Sequence, residues 1–232
     1  MTNVKLEVCC GSVEDCISAQ NAGGDRIELN SALELGGLTP SLALFETARA
    51  KVSLPIMVMI RPHNGPYHYS DLDFEVMQKD ARILLDKGAD GIVFGFLTPE
   101  GLIDEKRVKT MVALAGGKQT VFHKAIDETK DVESSLQALI RCGVTRVLIG
   151  GGLGKIDHHL AFLGTLQARY GSQIELLPGG GIHIDNLHAV LRETGVSQIH
   201  MTGKRIETHP ITHTQHVIVD EATLKSVIHA LK

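Results

Sequence analysis

The chain has 232 residues, 43% of them hydrophobic, enough to bury the core of one large domain. Its net charge of −4, the lack of tryptophan and the scarcity of aromatic residues exclude the basic face and stacking platforms of a nucleic-acid protein. No apolar run approaches the ~20 residues that cross a bilayer, and Met1 to Lys5 leads into a strand rather than a signal peptide, so a cytoplasmic protein with no membrane partner is expected.

Along the chain, short Val/Ile/Leu-rich strands alternate with amphipathic helices. The first strand lies near Leu6–Cys9, followed by a helix over Val13–Ala22 with Ser12 as its N-cap. A strand near Arg26–Leu29 leads through Gly37-Leu38-Thr39-Pro40 to a helix over Ser41–Ala50. The third strand, Ile56–Ile60, is followed by a long loop from Arg61 to Asp71 and a helix over Leu72–Lys87. Gly91–Phe94 with Asp104–Ala115, Thr120–Phe122 with Val132–Cys142, and Arg146–Ile149 with Ile156–Tyr170 are the next three pairs. Glu175–Leu177 precedes a helix over Asn186–Thr194, and Gln198–Met201 precedes a second long loop, Thr202 to Asp220, and a last helix over Ala222–Leu231. Gly23, Gly88, Gly143 and Gly195 each end a helix. Eight such units predict an α/β fold, a single compact (β/α)8 TIM barrel occupying residues 1–232; a doubly wound open sheet is the rival.

Strand alternation aims one set of side chains into the barrel. The parity that leads into the polar strand ends selects Glu7 and Cys9, Glu28 and Asn30, Met57, Met59 and Arg61, His123, and His200 with Thr202. Charged residues in strands covered on both faces need a reason. At the carboxyl ends of barrel strands that reason is a binding or catalytic mouth; the alternative is an ionic plug pairing Arg61 with Glu7 or Glu28. Glu7, Glu28, Arg61, His123 and His200 are therefore the catalytic candidates. His123 is placed to shuttle a proton, Arg61 to pin a carboxylate or phosphate, and Glu7 and Glu28 to divide into acid and base.

Leu177-Pro178-Gly179-Gly180-Gly181-Ile182, after the seventh strand, lets the backbone approach a ligand closely, and its N–H groups suit an anion. Thr202-Gly203-Lys204 completes that pocket, so Gly179, Gly180, Gly181 and Gly203 are the anion-binding candidates. Gly150-Gly151-Gly152-Leu153-Gly154 is a second glycine turn, without the Lys-Ser/Thr of a Walker loop. Cys9, Cys10, Cys16 and Cys142 form no C-x-x-C pair and are expected as reduced thiols. Cys9 with Met57, Met59 or Met201 is a soft sulfur set suited to Cu(I), and the same residues also suit plain apolar packing. His209, His213 and His216 in the last long loop have ligand-like spacing with no helix to fix it, and His158-His159 is read as a helix surface pair.

Several of these segments together resemble the CutC family, known as copper homeostasis proteins, from the first strand to about Thr202. They are Glu7-Val8-Cys9, Asp25-Arg26-Ile27-Glu28-Leu29, Gly36-Gly37-Leu38-Thr39-Pro40-Ser41 and Ile60-Arg61-Pro62 with Tyr69-Ser70. Gly88 to Gly95, Phe122-His123-Lys124-Ala125-Ile126-Asp127 and Leu177 to Ile182 complete the set. The resemblance implies a β/α barrel, a cytoplasmic location, copper handling with Cu(I) as ligand, and a homo-oligomer. The chain departs from the family pattern at four places. His63 stands where a second arginine is common, Pro66-Tyr67 where Asp-Phe is common, Lys124 in place of arginine, and Ile149-Gly150-Gly151 in place of Thr-Ser-Gly-Gly. Two functions are thus expected as alternatives: a Cu(I)-binding homeostasis protein, or a barrel enzyme acting on a small phosphorylated or carboxylated metabolite.

Overall fold

The computed structural model describes residues 4–231. Strands β1 (Lys5–Cys10), β2 (Arg26–Leu29), β3 (Ile56–Met59), β4 (Gly91–Phe94), β5 (Gln119–Phe122), β6 (Arg146–Ile149), β7 (Glu175–Pro178) and β8 (Gln198–Met201) form one parallel sheet. Its order is β7-β6-β5-β4-β3-β2-β1-β8, a nearly closed barrel. Helices α1 (Val13–Ala22), α2 (Leu42–Lys51), α3 (Asp71–Asp86), α4 (Glu105–Ala115), α5 (Val132–Cys142), α6 (Leu160–Tyr170), α7 (Ile184–Thr194) and α8 (Glu221–Ala230) alternate with the strands. The expected (β/α)8 barrel is the fold observed, and the open-sheet rival is excluded.

The helix starts follow from local chemistry. Ser12, Ser41, Ser70, Asp104, Asp131 and Asp220 each accept a hydrogen bond from a first-turn N–H. Four strands consist of four residues each, all buried, as expected of a sheet covered on one face by helices and filled on the other. The outward-facing set, including Leu6, Val8, Ile27, Leu29, Val58, Ile92, Phe94 and Met201, packs against the helices. Inside the barrel lies a separate apolar cluster of Met57, Met59, Val93, Val121, Leu148 and Leu177, contributed by β3 to β7.

The remaining part of the interior, on β8, β1 and β2 and at the amino ends of β6 and β7, is ionic. Arg26 Nε donates to Glu7, and Arg26 Nη2 donates to Gln198 Oε1 at 2.8 Å. Gln198 Nε2 reaches Glu175 at 3.1 Å, and Arg146 pairs with Glu175 at 2.6 Å. These contacts bear on closure, because β7 and β8 are not joined by a backbone ladder among the described residues. The Glu175–Gln198 bond stitches that seam at the amino end of the barrel.

Two expectations change. The segment from Thr202 to Asp220 is not an irregular loop but carries a hairpin, β9 (Lys204–Thr208) antiparallel to β10 (Gln215–Val219). The helix expected over Ile156–Tyr170 is a 3₁₀ turn, Ile156–His158, followed by α6, with His159 as the cap between them rather than one of a surface helical pair. Two further 3₁₀ turns, Leu33–Leu35 and Lys124–Glu128, lie in strand-to-helix loops.

Candidate functional site

At the barrel mouth the His200 imidazole sits between two buried carboxylates. Its Nδ1 lies 2.8 Å from Glu7 Oε1, and its Nε2 lies 4.0 Å from Glu28 Oε2. Burial alone would raise the Glu7 carboxyl, but the hydrogen bond to His200 and the charge of Arg26 outweigh it and bring Glu7 down to about 2. Glu28 moves the other way: burial raises its carboxyl, and the neighbouring Glu7 charge adds to that. Burial opposes charge on His200, yet Glu28 and Glu7 prevail and raise it. The surroundings of Glu7 and Glu28 thus differ, the first favouring the anion and the second holding its proton more readily. Asn30 Nδ2 donates to Glu28 Oε2 at 2.9 Å, and Glu28 Oε1 is buried with no hydrogen-bond partner among the described residues.

Arg61 forms no plug with either glutamate. It is 5% exposed, and its Nη1 donates to the carbonyls of Leu35 and Gly37 at 3.0 and 3.1 Å. The ion pairs that do fill the barrel join Glu7 to Arg26, on the side of Glu7 away from Arg61, and Arg146 to Glu175 at the amino end. The Tyr67 ring, carried by the β3–α3 loop, stacks with its centroid 5.2 Å from the Arg61 guanidinium carbon and 4.8 Å from the His123 ring. His123 is 4% exposed, and its Nδ1 accepts from the Ala125 N–H at 3.2 Å. Burial, reinforced by the Arg61 charge, lowers the imidazole to about 3. His123 therefore favours its neutral form, which suits hydrogen bonding better than the proton shuttling expected from sequence.

Beside His200 opens a cavity of about 470 Å³ lined by Lys124, Gly180, Gly181, Thr202, Gly203 and Lys204, among others. Gly180, Gly181 and Gly203 all have positive φ, and none of their N–H groups has a backbone partner among the described residues. Gly179 is not one of the lining residues; its N–H is taken by the Ile149 carbonyl at 3.0 Å. The second glycine turn is occupied from within. The Asp127 carboxylate accepts from the N–H groups of Gly150, Gly151 and Gly152 at 2.9 to 3.1 Å. Asp127 also holds Lys124 Nζ at 2.7 Å, placing the ammonium against Gly150 and Gly180, where an added Cβ would lie 2.6 and 2.8 Å from it.

The sulfur set is not assembled. A Cβ on Gly91 would meet the Met57 sulfur at 2.7 Å, so that side chain turns toward β4, and Met59 belongs to the same inner apolar cluster. Met201 has the parity opposite to His200 and packs outside the barrel with the helices. Cys9 instead joins Glu28 and His200, with one donor atom from each within 4.8 Å of the others. Its thiol lies 3.6 Å from Glu28 Oε2, and burial together with the Glu28 charge pushes it well above the usual thiol range. All four cysteines are free thiols. His209, His213 and His216 lie on the exposed hairpin.

Sequence reasoning overlooked Arg26, Tyr67, Gly95 and the role of Asp127. Arg26 shares parity with Glu28 and was readable on that ground. Gly95 carries the His123 ring, since a Cβ there would lie 2.2 Å from the imidazole Cε1. Nothing in the order of residues announces that contact.

A nearly closed run of eight parallel strands alternating with eight helices, with buried ionisable groups toward the carboxyl ends of the strands, places the chain in the TIM-barrel class. A sequence profile described as CutC family matches residues 4–205. A CutC family protein of Treponema denticola is 41% identical over 91% of this chain and 86% of its own length. The human copper homeostasis protein cutC homolog is 34% identical over 98% of this chain and 83% of its own length. The crystal structure of a copper homeostasis protein CutC from Streptococcus agalactiae superimposes with a TM-score of 0.81 at 30% identity, covering 86% of this chain and 98% of that one. The chain belongs to the CutC family.

Proposed function

We propose that this member of the copper homeostasis family binds a small anionic metabolite at the barrel mouth and moves a proton on it. The observation that carries this reading is the His200 imidazole held between Glu7 and Glu28 at the edge of the glycine-lined cavity. Glu7 fixes the imidazole, while Glu28, whose proton affinity is raised by burial, is the group suited to exchange a proton with the ligand. The glycine amides, Lys124 and Lys204 suit a phosphate on the ligand. The balanced step is removal of a proton from carbon beside a carbonyl. Glu28 takes the proton, the C–H electron pair becomes a carbon–carbon double bond as the carbonyl π pair moves onto oxygen, and return of a proton from Glu28 to the same carbon restores the carbonyl. Small phosphorylated aldehydes and ketones incubated with the protein in D2O should lose a C–H signal by NMR, and Glu28→Gln should stop it. The reading is wrong if no such exchange occurs and millimolar phosphate leaves the melting temperature unchanged.

A second reading, with Cu(I) as the ligand, is favoured by the Cys9–Glu28–His200 cluster. The donors fit it only at the thiol and the imidazole: Cu(I) prefers sulfur, and the carboxylate is a hard ligand. Anaerobic titration of the protein and of Cys9→Ser against a competing chelator tests this. Equal stoichiometry and affinity would remove Cys9 from any copper site.

A further inference from the structure

We infer that Arg61 and His123 form an oxyanion subsite, in which Arg61 Nε–H and His123 Nε2–H donate to one carboxylate, or to a carbonyl oxygen as it gains negative charge. Each is a buried donor without a partner among the described residues. The His123 tautomer follows from its neighbours. Nδ1 accepts from the Ala125 N–H, so in the neutral ring the proton sits on Nε2. Leaving such a donor dry and unpaired costs ~1–3 kcal/mol, and two at one mouth point to an acceptor brought by a ligand.

Charge makes the same argument independently. Arg61 is 5% exposed, yet the hydrogen bonds of its guanidinium among the described residues go to two carbonyls, and no carboxylate among them pairs with it. A buried guanidinium without a counter-charge favours an anion over a neutral ligand. One aromatic ring also links the two donors. Tyr67 contacts both, and His123 lies over the bare backbone of Gly95 just past β4, the strand between β3 and β5, which Arg61 and His123 follow. Because His123 is neutral, it can stabilise a developing negative charge without itself donating a full positive one.

The reaction in which a carbonyl oxygen would gain charge here rests on the function proposed above; recognition of a carboxylate does not. Calorimetry with inorganic phosphate, 2-phosphoglycolate and oxalate separates the two. Phosphoglycolate, carrying both groups, should bind about tenfold or more tighter than phosphate. His123→Phe and Arg61→Lys, each checked for an unchanged fold by circular dichroism, should weaken phosphoglycolate roughly ten- to hundredfold and leave phosphate alone. In protein carrying 15N-labelled histidine, the His123 Nε2–H proton should move downfield with phosphoglycolate or oxalate and stay in place with phosphate. Equal affinity for phosphoglycolate and phosphate, or carboxylate binding that survives both substitutions, overturns the subsite while leaving the glycine cavity intact. Oxalate binding that depends on His123 without any phosphate binding keeps the subsite and overturns the phosphate part of the proposed function. Binding of none of the three overturns both.

Discussion

Asp127 accepts from three glycine N–H groups and holds Lys124 at the rim of the cavity. Asp127→Ala would strip those amides of their acceptor and free the ammonium. A loss of ~2–3 kcal/mol in urea unfolding is expected, since each buried donor left unpaired carries a cost of ~1 kcal/mol or more. A loss below the error of the measurement would mean that water replaces the carboxylate at no cost. Gly95→Ala tests a different contact. A methyl 2.2 Å from the imidazole carbon must displace His123, so the 15N signals of that ring should change while the far-ultraviolet spectrum does not. These two residues mark the limit of legibility at this scale. Glu7, Glu28 and Arg61 stood out because charge in a buried strand is costly, and one parity gathers them. Asp127 gave no such signal: an aspartate after a strand looks like any loop residue until the amides 23 positions onward fold over it.

At the scale of elements, the strands and helix caps were readable because each depends on residues nearby in the chain, as Ser12 does on the Asp15 N–H. The β9–β10 hairpin was not, because His209 to Thr214 at its tip lacks the Asn-Gly or Asp-Gly pair that marks a two-residue turn. Most of the hairpin is exposed, and Val219 at its end is buried and tied to Asp15 through a 2.8 Å hydrogen bond. Replacing residues 206–216 with a short turn should therefore leave α8 docked and shift the melting temperature little, whereas Asp15→Ala should shift it more. Both follow from thermal scans. The expected order fails if the trimmed chain is the less stable of the two.

For the whole molecule, acid stability follows from Glu7. Its carboxyl ionises at about 2 rather than 4.5, so the folded state gains stability that is complete above pH 4.5 and lost as pH falls toward 2. At ~1.4 kcal/mol per pH unit this amounts to ~3 kcal/mol. Glu28 and His200 are shifted upward, so their contributions run the other way and fade as pH rises through their own folded values. Urea midpoints measured from pH 2 to 7 should fall steeply below 4.5, and Glu7→Gln should flatten that limb. An unchanged slope would show that other carboxylates govern acid unfolding.

The gap in the ladder between β7 and β8 gives the barrel a built-in aperture. Gly180 and Gly181 follow one of these strands, and Thr202 and Gly203 follow the other, so the two lips of the cavity stand on opposite sides of the only strand pair that no backbone bond ties among the described residues. The Glu175–Gln198 contact at the far end is the side-chain tie across that seam. Widening the cavity between these lips would break no rung of the sheet, so its width is cheaper to change than that of a gap between any two laddered strands.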